Sequence, residues 1–176
     1  MRIIFMGTPE FAIPSLEILL DNQYEITAVV TIPDKPQGRG QKVAYSQVKT
    51  FALGKNIPIL QPESLKEESF INQLKSLNPD LIVIVAFRIL PREVFTIPKF
   101  GAFNLHASLL PKYRGAAPIN WAIIKGEKET GVTTFFLQEK VDTGNVLLQA
   151  RLPIKDDETA GELHDRLADV GAEIVL

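Results

Sequence analysis

LIVIVAF, residues 81–87, is the longest uninterrupted apolar run in the chain. It is strand-sized and far shorter than the roughly 20 residues a membrane helix needs. It is apolar at every position, not at every second one. A strand wetted on one side alternates, whereas a strand covered on both faces does not. The run therefore predicts a central parallel strand with helices packed on both sides.

The remaining pattern fits that frame. Strands are expected at Arg2–Met6, Glu25–Ile32, 58–61 (PILQ), Gly101–His106, Gly131–Leu137 and Val146–Leu152. Helices are expected after Thr8, as a cap, and Pro9, as the first helical residue, where Phe11, Leu16, Leu19 and Leu20 recur at helical spacing. Further helices are expected at Ser46–Gly54, Lys66–Leu77, 116–125 and from Glu158 to the end, with a short helix or turn over Ile89–Ile97. Pro33–Lys42, dense in proline, glycine and charge, reads as a loop. Alternating strand and helix implies an open, mainly parallel twisted α/β sheet with right-handed crossovers. In such sheets ligands bind beyond the carboxyl ends of the strands. Chemistry is expected where the loops after Gly7, Phe87 and His106 meet.

Composition removes several classes of chemistry. The 176 residues include no cysteine and only two histidines, with a net charge of −2. Disulfides, thiolate nucleophiles and cysteine zinc sites are excluded, and two distant histidines predict no metal. A contact with nucleic acid must use a local patch, because there is no global basic field. MRIIFMG lacks the features of a secretion signal and reads as a first strand. The last segment, ETAGELHDRLADVGAEIVL, is an amphipathic helix without a closing cap, so a piece of a longer protein is expected. His164 within it lies among charged residues and reads as part of a solvated helix face.

The segment NLHASLLPKYRGAAPI, residues 104–119, carries the densest chemistry. In a strand, residues i and i+2 face the same way. Asn104 and His106 thus share a face, and an amide beside an imidazole can donate two hydrogen bonds to one oxygen. Spacing alone leaves a second reading open, a strand-end histidine bonded to backbone beside a turn-capping asparagine. Asp142, in VDTG between two expected strands, can serve simply as a turn residue. If the turn folds over the strand end, it can instead orient His106 and relay a proton.

Taken together, the Asn-x-His strand end, the SLLPKYRGAAPI loop and the later Asp-Thr-Gly resemble the folate-dependent formyltransferases across essentially the whole chain. The resemblance implies the family's Rossmann-like fold, catalytic Asn104, His106 and Asp142, and 10-formyltetrahydrofolate as cosubstrate without a metal. It also places Ser108, Leu109, Leu110 and Pro111 against the folate. AFRILP, residues 86–91, implies a pteridine pocket formed by Phe87, Arg88, Ile89 and Leu90, in a segment shorter than some members carry.

Two stretches, MRIIFMGTPEFAIPSL and TIPDKPQGRGQK, are similar to the members that formylate methionyl initiator tRNA. Pro9 removes an amide and Glu10 adds a carboxylate at the first helix N-terminus, which disfavours the phosphate that glycinamide ribonucleotide enzymes bind there. Lys35, Arg39 and Lys42 are then expected to contact tRNA, and Phe11 to line a methionine pocket. The resemblance further implies a cytoplasmic monomer, a single catalytic domain over residues 1–176, and a C-terminal β-barrel domain for tRNA that these residues do not include. The alternatives are an amino sugar nucleotide as the amine, a formyl-folate hydrolase, or a non-catalytic folate- and RNA-binding module.

Overall fold

The computed structural model describes residues 1–37, 42–140, 142 and 144–176. Its centre is β6 (Leu81–Val85), whose last four residues are buried. Next to it lies β1 (Arg2–Gly7), and the two pair in parallel. Their starts are pinned together by Asp80. Its carboxylate accepts from the Arg2 backbone N–H at 2.8 Å, and its own N–H donates to the Arg2 carbonyl at 2.8 Å.

On one side β1 continues to β2 (Glu25–Val30), which pairs with the short β5 (Ile59–Leu60). On the other, β6 leads to β7 (Ala102–His106), β8 (Glu129–Phe136) and β9 (Val146–Pro153). The seven-stranded order is β5-β2-β1-β6-β7-β8-β9. The first five strands run parallel, and β8 is antiparallel to both its neighbours. The chain steps outward from β1 to β5 and then returns to the far side of β1. The order therefore reverses between β1 and β6, where ligands of such sheets bind.

Burial on two sides follows the strand period. Ile3 and Phe5 of β1 join Val83, Val85, Phe103 and Leu105 in one core. That core is covered by α1 (Ile13–Asp21), α2 (Gln47–Gly54) and α6 (Ala160–Val175). Ile4 and Met6 join Ile82, Ile84 and Ala102 on the opposite face, under Phe70 and Leu74 of α3 (Glu68–Ser76) and Val94 of α4 (Arg92–Phe95). The remaining helix, α5 (Pro118–Ile124), stands beside α6. Helix starts are locally encoded. The Ser46 side chain accepts from the Lys49 N–H at 3.1 Å, and Thr159 and Glu162 form a reciprocal capping box. No helix among the described residues is long and apolar enough to cross a membrane.

Three local expectations are corrected. Thr8 does not cap a helix. Pro9 is the residue before a 3-10 turn, Glu10–Ala12, and α1 begins only at Ile13. Extended backbone at Pro9 (ψ 173°) carries the chain past the strand end before it can turn. The segment Pro33–Lys42 is not only loop. Lys35–Gln37 (β3) and Lys42–Ala44 (β4) pair as an antiparallel hairpin. The helix expected at Lys66 starts at Glu68, after a turn in which the Ser64 hydroxyl accepts from the Lys66 N–H.

Gly131 lies where β8 meets its edge partner. A Cβ there falls 2.1 Å from the Ala150 carbonyl oxygen and 2.6 Å from Leu109 Cδ2. The carbonyl belongs to the paired strand and cannot swing aside. Gly131→Ala is expected to cost about 1–3 kcal/mol of stability, read as a lower melting temperature. An unchanged melting temperature would show that β9 shifts freely.

Candidate active site

One cavity of about 570 Å³ opens at the carboxyl edge of the sheet. Pro9 and Phe11 come from the loop after β1, Ala86, Phe87 and Ile89 from the loop after β6, and His106 from the end of β7. These are the three loops expected to meet. The size suits a small organic ligand. A narrower cleft of about 100 Å³ adjoins it, lined by Phe87, Arg88, Ile89 and Leu90 with Asn104, Asp142 and residues 137–140.

Asn104 and His106 share a face of β7 and both line the cavity. Asn104 also borders the cleft, so it stands between the two spaces. Its amide makes no hydrogen bond to another described residue. Leu105 points the other way, beneath Gly171 of α6. A Cβ at Gly171 would lie 2.7 Å from Leu105 Cδ2, so the helix sits directly on the strand that carries the site.

His106 is held on one side. Its Nε2 lies 2.8 Å from the Tyr113 carbonyl oxygen. A carbonyl can only accept, so Nε2 carries a proton. The other nitrogen, Nδ1, faces Asp142 Oδ2 at 3.9 Å. That distance is too long for a hydrogen bond. The side chains are only 9% and 10% exposed, so the two groups interact with little water between them and bulk solvent. The turn after β8 does fold over the strand end, as one of the two readings of Asp142 requires.

Asp142 is held by the opposite loop. Its Oδ2 accepts from the Gly115 N–H at 2.8 Å. Its φ of 51° lies in the left-handed region, which aspartate tolerates better than most residues. Gly144 shows why the turn ends in glycine. A Cβ there would sit 1.5 Å from the Phe136 carbonyl oxygen. The turn presses backbone against backbone, and no side chain fits.

Arg88 is not a free surface cation. Its guanidinium donates to the Pro62 and Glu63 carbonyls at 2.8 and 3.0 Å and lies over the Phe87 ring. Leu90 is buried, while Ile89 is three-quarters exposed at 75%. Ser108, Leu109, Leu110 and Pro111 line neither space. Ser108 is fully buried and its hydroxyl donates to the Lys112 carbonyl at 2.6 Å. The Leu110 N–H donates to Thr133 Oγ1 at 3.2 Å. These residues tie the loop to β8.

His164 departs from its expected place. Its ring meets Phe11 edge-on, with centroids 5.2 Å apart, and both residues line the cavity. Its Nδ1 lies 2.9 Å from Asp165 Oδ1. Charged neighbours in sequence concealed this, because the helix turns His164 toward Phe11 while Asp165 stays outside. The i+4 and i+8 positions, Ala168 and Ala172, are buried, a spacing that could have revealed the inward face.

Among the expected basic contacts, Lys35 is exposed at the start of β3, and Lys42 begins β4. Arg39 lies outside the described residues. The base of the hairpin is anchored. Asp34 pairs with Lys49 and accepts from Gln61 Nε2 at 2.8 Å. The Lys49 and Gln61 bonds hold the Asp34 carboxyl below its ordinary range. The hairpin springs from the carboxyl end of β2, the same edge of the sheet as the cavity.

A family model described as formyl transferase matches residues 1–176. The methionyl-tRNA formyltransferase of Acetivibrio thermocellus is 59% identical over 176 residues, covering 99% of this chain and 57% of that protein. That of Flavobacterium johnsoniae is 56% identical, covering 100% of this chain and 56% of that protein. The chain thus spans about half the length of these curated relatives. Among solved structures, phosphoribosylglycinamide formyltransferase from Bacillus halodurans superposes with a TM-score of 0.82 at 20% identity, over 99% of this chain and 91% of that one. At that identity the likeness concerns the fold.

The turn that seats Asp142 can be tested directly. Gly144→Ala is expected to unseat it and release the Gly115 amide. A hydrogen bond to a charged group contributes about 1.5–3 kcal/mol, so hydrogen exchange at Gly115 should accelerate roughly tenfold or more. Unchanged exchange would place the bond elsewhere.

Proposed function

The chain belongs to the formyl transferase family, and from that premise we propose that it transfers a formyl group from 10-formyltetrahydrofolate to the α-amino group of methionyl initiator tRNA. The reaction would serve translation initiation in the cytoplasm. The reading is carried by the meeting of Asn104, His106 and Asp142 at one cavity. The chain is also 59% identical to a protein named methionyl-tRNA formyltransferase.

10-Formyltetrahydrofolate supplies the formyl carbon. Phe87, Arg88, Ile89 and Leu90 border the cleft and would hold the pteridine end there. Ser108, Leu109, Leu110 and Pro111, expected against the folate, line neither space and would act on it only through the loop they hold. Asn104, between cleft and cavity, would reach the formyl oxygen.

When an amine adds to the formyl carbon, a C–N bond forms and the carbonyl oxygen becomes an oxyanion. The Asn104 amide would donate to it, and so would His106 Nδ1 once that nitrogen is protonated, the ring then carrying a proton on both nitrogens. Nε2 is committed to the Tyr113 carbonyl, so Nδ1 would be the nitrogen that serves the reaction. Asp142 faces that nitrogen and would take the proton the amine must lose, directly or through a water. The bond to the folate nitrogen then breaks, and that nitrogen gains a proton. The nucleophile is the substrate's amine, so the protein needs none of its own.

The amine side of the cavity would have an apolar wall of Pro9 and Phe11, with the His164 ring edge-on to Phe11, suited to a methionine side chain. Lys35, Arg39 and Lys42 would lie along the tRNA backbone. Their hairpin leaves the same sheet edge as the cavity, on the anchored Asp34–Lys49 base. Glu10 in the first turn after β1 makes that corner a poor phosphate site.

Asn104→Ala and His106→Ala should each lower kcat by about 10²-fold or more, with folate binding retained by calorimetry. Near-normal turnover in either would overturn the catalytic assignment. The amine is tested by formyl transfer to charged initiator tRNA against an amino sugar nucleotide, and preference for the sugar would sink the tRNA reading. Replacing Lys35, Arg39 and Lys42 by alanine should raise KM for the tRNA. Each lost phosphate contact should also flatten its logarithmic salt dependence by about 0.7–0.9. An unchanged salt slope would remove the hairpin from the tRNA interface.

A further inference from the structure

The loop between β7 and α5 holds the His106 ring through one backbone carbonyl, that of Tyr113. Tyr113 itself has a φ of 53°. A bulky side chain in the left-handed region is strained and persists only where its surroundings impose it. The Tyr113 hydroxyl donates to Glu127 Oε1 at 2.7 Å. Lys112 Nζ lies 3.2 Å from both Glu127 oxygens, and the Lys112 carbonyl accepts from Ser108. Glu127 sits in the turn between α5 and β8 and does not line the cavity.

A single residue thus joins a carboxylate to the imidazole. Its phenol ends on Glu127 and its carbonyl ends on His106 Nε2. If the carbonyl moved away, the neutral ring would be free to carry its proton on either nitrogen. Nδ1 would then lose its fixed relation to Asp142 and the cavity.

We propose that Glu127 is a positioning residue for His106, acting through Tyr113 to keep the proton on Nε2 and Nδ1 turned to the substrate. The inference rests on the catalytic reading of His106 given above. The pair suits a steady clamp. The bond from Tyr113, with Lys112 alongside, holds the Glu127 carboxyl below its ordinary range. The same bond holds the Tyr113 phenol above its ordinary range. Carboxylate and neutral phenol therefore coexist through neutral pH. A carboxyl with a lowered pKa gives up its contribution only as pH falls through that lowered value, below the usual carboxylate range.

The test uses Glu127→Ala, Glu127→Gln and Tyr113→Phe. The chain has only two histidines, so imidazole ¹⁵N shifts are readily assigned, with His164→Gln as the control. The unaltered protein should show His106 as the Nε2–H tautomer. Glu127→Ala and Tyr113→Phe should show a mixed-tautomer signature. They should also lower kcat about two- to tenfold, the worth of one hydrogen bond, with KM for the folate unchanged. Glu127→Gln can still accept from the phenol and should retain both properties. Tyr113→Phe removes one oxygen and carries the test if Glu127→Ala fails to fold. Unchanged ¹⁵N shifts in the Ala and Phe variants would overturn the proposal. A changed tautomer with unchanged kcat would uphold the positioning and overturn the catalytic reading of His106.

Discussion

Burial of β1 and β6 on both faces is the constraint from which the rest follows. Ile3, Phe5, Val83 and Val85 fill one core, and Ile4, Met6, Ile82 and Ile84 fill the other. Helices seal both sides. A ligand can reach these strands only at their ends, and their carboxyl ends lie at the reversal of strand order. The outward step to β5 and the return through β6 therefore create the opening between Pro9 and Ala86. Ala86, with φ 48°, is the residue at which the chain turns out of the sheet to make room for it.

His106 and Asp142 are then held by loops that brace one another. The loop after β7 supplies the Tyr113 carbonyl to His106 and the Gly115 N–H to Asp142. The turn after β8 supplies Asp142 and rests on Phe136 through Gly144. Each segment thus grips a group of the other. This gives a physical account of SLLPKYRGAAPI. Tyr113, Gly115 and Ala117 all have positive φ, and Ser108 and Thr133 tie its base to β8. The unusual sequence encodes a folded-back strap over a strand end.

The sequence announced the sheet well because its signals are periodic and local. LIVIVAF carries two-sided burial in its composition, and Ser46 and Thr159 mark helix starts by a bond made within four residues. The hairpin of β3 and β4 is hidden because its strands are three residues each and lie in a segment dense in proline and glycine. The shared face of Asn104 and His106 was legible from the period of two. The approach of Asp142 was not, since it depends on how far a turn folds across another strand. His164 was misplaced for a related reason. Its neighbours Glu162, Asp165 and Arg166 are charged, and only the packing of α6 against Phe11 shows which side of the helix it takes.

The 3.9 Å between His106 Nδ1 and Asp142 Oδ2 gives the site its asymmetry. A shorter approach would commit both nitrogens of the ring, one to the Tyr113 carbonyl and one to the carboxylate. As it stands, one nitrogen is fixed by a neutral acceptor that cannot titrate, and the other is paired with charge but not consumed by it. Asp142 is likewise only partly engaged, since the Gly115 N–H takes one of its oxygens. An incoming oxygen or amine would find the Asn104 amide as donor and the Asp142 carboxylate as acceptor already in place. Electrostatic stabilisation of this kind works because the groups need little rearrangement when charge develops. The rigid side of the arrangement lies in the strap and the turn, and the open side lies in the gap between the imidazole and the carboxylate.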